Sequence, residues 1–348
     1  MSAWQRYWFA PAPCLDLAMI RLVAVATQLF WIVIFAGQLD VLEARAALPD
    51  ANWQPLIILN MLNLPWGWGF RPSFGLLEIM YYICIVAGVL SLIGLLTNAA
   101  LAVFASTSVY LQAFSYSFTD FHHPEAVMMI ALSVLALSPS GRALSVDAWL
   151  RGRRAGNGEA RLLDQTSEFA GWPIKLIQWF FVLMYASAVW SKLGESGLDW
   201  ANGFTLQYYL ARDALRWDSD LAYWLSQQHV LILLGQYGVL LFQATFALPV
   251  IFPKLRWIYV PAGILLHTFI YLTLTAPFFQ WIALYAVFIA WAEALQLVRT
   301  RLGTRSRGLS APEGKPVRAC RSLSRPRSDL LSSRMARTIR RGPATLVA

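Results

Sequence analysis

The chain contains 348 residues, of which 58% are apolar and 14% are charged, whereas about 25% of an ordinary soluble domain is charged. Such a chain cannot cover a water-facing surface with polar groups, which excludes a soluble globular enzyme and a disordered or fibrous chain. After position 298 lie 13 of the 28 basic and 2 of the 19 acidic residues, so the positive net charge belongs to a tail and does not indicate a nucleic-acid partner.

The elements predicted in chain order are membrane-spanning helices, each of which needs about 20 mostly apolar residues. Eight stretches meet this requirement: 17–38, 75–97, 98–118, 124–140, 173–192, 230–252, 256–276 and 277–298. We therefore predict an all-α polytopic membrane helix bundle of about eight transmembrane helices over residues 17–298. Residues 1–16 form a leader. The tail, 299–348, is rich in Arg, Ser, Pro and Gly, which predicts disorder.

Basic residues in the loops predict the orientation, because Lys and Arg are in excess on the cytoplasmic side. The loop 141–172 and the turn around Pro253 are both basic. With eight spans, both termini are then cytoplasmic and the protein lies in the inner (plasma) membrane. Two outer segments, Trp53–Phe70 and Phe204–Trp217, predict interfacial helices that roof a cavity. The tail either attracts anionic lipid or only fixes the topology.

Ionisable residues inside spans are expensive and therefore mark candidate sites. Arg21 lies about one turn into the first span, and we expect its long side chain to reach back to the headgroups. Four others lie towards the outer side in the predicted topology, namely Glu78, His123, Lys192 and His267. We predict that these four side chains face one outward-opening cavity.

Each of these residue types allows more than one interpretation. A lysine withdrawn from water loses its proton more readily and can act as a base, although Lys192 is equally suited to anchor a span at the headgroups. His122 and His123 lie at the start of the fourth predicted span. Each could act as a base or as a hydrogen-bond donor, or could simply be a hydrated residue at a helix start. His267 lies in mid-span and needs a partner or a polar cavity. No metal site is predicted, because the spacing of these residues matches no ligand pattern.

Several short motifs follow one another along the chain in a specific order. They are Leu17–Arg21, Phe121–His123, Leu144–Asp147, Tyr185–Leu193, Trp200–Gly203, Tyr208–Leu210 and His267. In this order the chain resembles, over about residues 10–298, the vitamin K-dependent γ-carboxylase-like transmembrane family, also called the HTTM domain. The resemblance supports the predicted bundle and its outward-facing cavity.

The resemblance implies a quinol-dependent membrane enzyme in which Lys192 is the base towards a reduced, vitamin K-like quinone. His123 assists, with His122 as a one-residue alternative. His267, Glu78, His122 and Trp200 are then expected to contact the lipophilic substrate.

The chain departs from this pattern in two ways. The connection from Lys192 to Trp200 is longer, and the large lumenal region of the carboxylases has no counterpart, so carboxylation of glutamate is not implied. The alternative is a non-enzymatic membrane protein for maturation of, or immunity to, a secreted peptide. The expected partners are membrane lipids, a lipophilic quinol, and a secreted peptide or redox protein.

Overall fold

The computed structural model of the protein describes residues 2–118, 125–154 and 165–309. Within these ranges the chain is mainly helical, which confirms the predicted fold class. The α-helices are α1 (Ala3–Phe9), α2 (Cys14–Phe30), α3 (Gln38–Ala46), α4 (Ile57–Leu62), α5 (Phe74–Ile93), α6 (Thr97–Ser115), α7 (Ala126–Ala136), α8 (Val146–Arg154), α9 (Gly171–Ser196), α10 (Phe204–Trp217), α11 (Asp220–Ser226), α12 (His229–Ala244), α13 (Leu248–Ile251), α14 (Arg256–Leu274), α15 (Phe279–Leu284) and α16 (Trp291–Leu309).

Local sequence explains where helix α5 begins and ends. Ser73 precedes α5 and its hydroxyl accepts a hydrogen bond from the Leu76 amide, as an N-cap does. Gly94 ends α5 in the left-handed region, with φ of +73°. A Cβ at this position would collide with Ser145, so the close approach of the segment around Ser145 also requires glycine.

Five helical segments are long and apolar enough to cross a membrane: Cys14–Phe35, Phe74–Ile93, Gly171–Ala201, His229–Ile251 and Pro253–Leu274. A sixth candidate is the pair Phe279–Phe288 and Trp291–Arg301, which is bent by 72° at its break. By length and composition, the described residues therefore give five or six spans rather than the eight predicted. The predicted span 277–298 is wrong as one straight helix.

The two remaining predicted spans correspond to α6 and α7. Of these, α7 has 11 residues, and α6 carries several Ser and Thr side chains that lower its hydropathy. The two helices nevertheless lie antiparallel inside the bundle. At one end of the pair Tyr116 bonds to Glu125, and at the other end the Asn98 amide donates to the carbonyls of Ala136 and Ser138 at 2.8 and 2.7 Å.

The chain returns repeatedly to one end of the bundle, which we call the basic end and define by segments 12–13, 94–97, 138–154, 166–172 and 253–256. There β1 (Ala12–Pro13) pairs antiparallel with β2 (Thr166–Ser167), with Ala12 opposite Ser167. Asp147 binds the start of α6, and Asp16 accepts a 2.7 Å bond from the Ala292 amide. These contacts join connections that the predicted topology places on one side.

Arg21 does not reach the headgroups, and this expectation is wrong. Its side chain is fully buried, at 0% exposure. The guanidinium donates to the Ser140 carbonyl at 2.9 Å and to the Leu144 carbonyl at 2.5 Å. The segment that follows α7 folds back over α2 and supplies the two carbonyl acceptors. These hydrogen bonds lower the free-energy cost of burying the guanidinium.

The two outer segments are helical only in part. Phe204–Trp217 forms α10 with the predicted bounds. In the other segment, α4 is followed by a 3-10 turn, Leu64–Trp66, that contains Pro65. Asn60 holds the loop behind this turn, because its side-chain oxygen accepts a 2.9 Å bond from the Gly69 amide.

The last helix extends beyond the predicted start of the tail. We expected disorder from Arg299, whereas α16 continues to Leu309. Residues 310–348 lie outside the described residues, so the predicted disorder of the remaining tail stays a prediction.

Candidate functional site

Helix α9 carries two polar side chains on the same face, Tyr185 and Lys192. They are seven residues apart, which corresponds to about two helical turns and about 10 Å along the axis. The facing helix is α12. Its Phe242, and Phe246 just after its end, pack on the Tyr185 ring with centroids 5.7 and 4.6 Å away. The site is therefore built along the contact between α9 and α12.

Lys192 is partly buried near the end of this face. Its Nζ donates to the Ala188 carbonyl at 3.2 Å and to Gln243 Oε1, on α12, at 3.3 Å. The same atom lies 5.2 Å from the centroid of the Trp200 ring. Among the described residues, no carboxylate forms an ion pair with Lys192. The structure thus brings together Lys192 and Trp200, two of the predicted site residues.

A fully buried glutamine holds the loop that presents Trp200. Gln236 Nε2 donates to the Trp200 carbonyl at 2.9 Å, and its Oε1 accepts a 2.6 Å bond from the Gly203 amide. Gly203 has φ of +91°, and a Cβ there would collide with the His229 ring. The Gln236 side chain therefore fixes both ends of the Trp200–Gly203 turn. The positive φ and the close His229 ring explain why the turn ends in glycine.

His267 is 5% exposed and bonds to tyrosine rather than to Lys192. Its Nε2 lies 2.9 Å from the Tyr185 hydroxyl, and that hydroxyl lies 2.6 Å from the Tyr285 hydroxyl. We call these three residues the Tyr–His–Tyr network. The Trp281 ring lies 5.4 Å from the imidazole. Gly263 makes room for the network, because a Cβ there would collide with Tyr285.

Several buried polar atoms next to this network have no hydrogen-bond partner in the part of the chain that the structure describes. They are His267 Nδ1, Trp281 Nε1 and both polar atoms of the Gln280 amide. Unsatisfied buried groups are rare in folded proteins and commonly indicate a functional role or a bound polar molecule. The interior around α14 and α15 can therefore accept further hydrogen-bonding groups.

The other predicted site residues are not part of this arrangement. Glu78 is half-buried on α5, which packs against α2, α3 and α6, and it makes no hydrogen bond or ion pair with the described residues. His122 and His123 lie outside the described residues. No two of the four expected side chains are in contact among the described residues: Lys192 lies against Trp200, and His267 bonds to Tyr185 on the same helix. Their convergence on one cavity therefore stays a prediction.

Sequence reasoning missed Gln236, Gln243 and the two tyrosines of the network. Uncharged polar residues do not interrupt an apolar span, so they gave no signal by hydropathy. The one available hint was that Tyr185 and Lys192 belong to the same short motif. As for metals, no three His, Cys, Asp or Glu side chains come together in the part of the chain that the structure describes.

Comparison with known proteins gives one informative result. The family model described as HTTM domain matches residues 65–293, which include α5 to α15 and therefore the whole site. No curated protein and no solved structure is significantly similar to the chain. The chain therefore belongs to the HTTM domain family and is a membrane protein related to the γ-carboxylase transmembrane domain.

Proposed function

We propose that this protein binds a reduced, vitamin K-like quinone or another lipophilic hydroxy-aromatic molecule beside α9, and that Lys192 removes its phenolic proton. The observation that carries the proposal is the place of the Lys192 amine. It is partly buried, its hydrogen-bond partners among the described residues are all neutral, and it lies above an aromatic ring. The quinol supplies the acidic hydroxyl, and the protein supplies the base.

The proton balance of this step is simple. Neutral Lys192 accepts the phenolic proton and becomes an ammonium ion, while the substrate becomes a phenolate. The Trp200 face favours the ammonium form through a cation–π interaction, worth about 0.5–2 kcal/mol. Gln243 Oε1 accepts a hydrogen bond from either form of the amine. The surroundings therefore stabilise the product of proton transfer without a permanent counter-ion that would keep the amine protonated beforehand.

The aromatic lining suits a flat apolar substrate. Trp200 lies at one end of the face, and the rings of Phe242 and Phe246 line its middle. The Tyr–His–Tyr network begins at Tyr185, whose ring contacts both phenylalanines. In this proposal His267 orients the substrate or relays its proton, His123 or His122 assists Lys192, and Glu78 contacts the substrate from α5.

The experiment is to purify the wild-type protein and the Lys192→Ala variant in mild detergent and to identify co-extracted quinones by mass spectrometry. Lys254→Ala is the matched control, because Lys254 lies exposed in a turn at the basic end. We expect quinone near one per protein in the wild type and the control, and a loss in Lys192→Ala. Equal quinone content in all three proteins, with equal activity in the native host, would refute the proposal that Lys192 is the base.

A second candidate function is the maturation of, or immunity to, a secreted peptide. It is favoured by exposed aromatic side chains on α10 and α11, at the same end as Trp200: Phe204, Tyr208, Trp217, Tyr223 and Trp224. Photo-crosslinking from Tyr208 in the native host distinguishes the two functions. A single small peptide adduct supports this second function, and lipid adducts alone exclude it.

We further propose that the protein lies in the inner membrane with the basic end in the cytoplasm. The basic end carries Arg142, Arg151, Arg153, Arg154, Lys254 and Arg256, and such residues remain on the cytoplasmic side. A single cysteine introduced at Arg153 should resist a membrane-impermeant thiol reagent added to whole cells, whereas one introduced at Leu198 should react. The reverse pattern would invert the topology.

A further inference from the structure

A second cavity lies at the basic end, remote from Lys192. Its volume is about 500 Å³, and it opens between the start of α6, the turn after α7, helix α8 and the start of α9. The lining is mainly polar and includes Asn98, Ser138, Arg142, Asp147, Arg151 and Trp172. None of these residues belongs to the site on α9 and α12.

Two guanidinium groups line this cavity, and both have hydrogen-bonding capacity to spare. Arg142 Nη1 donates to Ser167 Oγ at 2.9 Å, and Arg151 Nη2 donates to the Gly141 carbonyl at 2.6 Å. Within the described parts of the chain each guanidinium makes this one hydrogen bond. These bonds hold both groups in place but leave most of their N–H donors for a ligand.

Among the described lining residues the one carboxylate, Asp147, is already hydrogen-bonded within the fold. Asp147 accepts bonds from the Leu96 amide at 3.0 Å and from the Thr97 amide and hydroxyl at 2.8 and 2.7 Å. Burial alone would raise the pKa of Asp147, but these hydrogen bonds and nearby Arg151 outweigh it, so its pKa is lowered. The carboxylate faces α6, and the two arginines give the cavity a net positive charge.

Helix α8 indicates the depth at which the cavity lies. It exposes Trp149 and Leu150, and its last turn carries Arg151, Arg153 and Arg154. The Arg153 guanidinium lies 4.7 Å from the centroid of the Trp149 ring. This combination is typical of a helix that lies in the plane of a membrane interface. Trp172, on the cavity wall, also favours the headgroup level. The cavity therefore opens where lipid phosphates are found.

We propose that this cavity binds the phosphate of an anionic phospholipid from the leaflet at the basic end, with Arg142 and Arg151 as its two ligands. Guanidinium groups match phosphate geometry and form charge-assisted hydrogen bonds with it. Basic pockets between helices at a membrane surface are suited to such headgroups. The lipid then links the turn after α7 to α8.

The test measures lipid binding to the full-length protein in detergent by native mass spectrometry. The probes are phosphatidylglycerol, phosphatidylcholine and inorganic phosphate, and the variant is Arg142→Gln with Arg151→Gln. The matched control, Arg153→Gln with Arg154→Gln, removes the same charge from the same region without touching the cavity lining. Arg151→Gln alone serves if the double variant does not fold.

We expect the wild type and the control to retain phosphatidylglycerol at least about tenfold more strongly than phosphatidylcholine, and the cavity variant to lose this preference. Retention of the preference in the cavity variant would overturn the proposal. Displacement of the lipid by millimolar inorganic phosphate would also overturn it, because the cavity would then be a site for a soluble anion.

Discussion

The two ends of the bundle use their charged residues in opposite ways. At the basic end, Arg21 and Asp147 are held by short hydrogen bonds to backbone groups. At the other end, Lys192 has two long contacts with neutral acceptors and no ion pair among the described residues. Arg21 Nε has no partner among the described residues, but the two strong bonds of the guanidinium hold it in the fold, whereas the weakly bonded Lys192 amine keeps its chemistry available. The contrast separates structural residues from candidate catalytic ones within the same family motifs.

The largest expected effect is on Arg21, where Arg21→Met should break the basic end. The change leaves two buried carbonyls without their charged donor, and hydrogen bonds to charged groups contribute about 1.5–3 kcal/mol each. We expect the free energy of unfolding to fall by about 3 kcal/mol or more, measured by thermal unfolding in detergent. Arg153→Met, at an exposed position, is the control and should change little. Equal stability of the two variants would contradict the structural role.

Gly263→Ala should have the next largest effect, and it tests the Tyr–His–Tyr network. The new methyl group would collide with Tyr285, and such overpacking costs about 1–3 kcal/mol. Gly235→Ala on α12 is the control, since nothing lies within 4 Å of the added carbon. The melting temperatures of the two variants should therefore move in opposite directions or by clearly different amounts. Similar melting temperatures would show that the network tolerates displacement.

Asp147→Asn should cost less, about 1 kcal/mol at neutral pH, because the neutral amide still accepts one bond at the start of α6. The pKa of Asp147 is lowered in the folded protein, so its contribution is complete above the unfolded pKa of about 3.9 and disappears as pH falls through the lower folded value. The difference in melting temperature between wild type and Asp147→Asn should thus be present at pH 7 and shrink below about pH 4. A constant difference would exclude the ionised carboxylate as the cause.

Lys192→Ala should have the smallest effect on stability, below about 1 kcal/mol, since it removes two long hydrogen bonds and one cation–π contact from a partly buried side chain. Thermal unfolding of the quinone-free variant gives this value. A loss as large as that of Arg21→Met would show that Lys192 is structural and would remove the contrast between the two ends.

The sequence was sufficient for the membrane class, the helical fold and the α10 helix, because apolar composition and amphipathic periodicity are local properties. It failed where a partner lies far along the chain. Arg21 was expected at the headgroups because nothing local shows that the turn around Ser140 folds over it. The bend between Phe288 and Trp291 was also missed, since no proline or glycine marks it. Nothing local indicates that Tyr185 meets His267 and Tyr285, or that Gln236 holds the Trp200–Gly203 turn, because these partners also lie far apart in the sequence.

The burial of Arg21 also has a consequence for how the protein is made. Ser140, its first acceptor, is 119 positions later in the chain. At about 5–20 residues per second, the ribosome needs on the order of ten seconds to synthesise this stretch. During that interval the first span is already available for insertion, but its guanidinium lacks the native acceptors. The first span therefore carries a charge without its native acceptors until the turn after α7 has been synthesised.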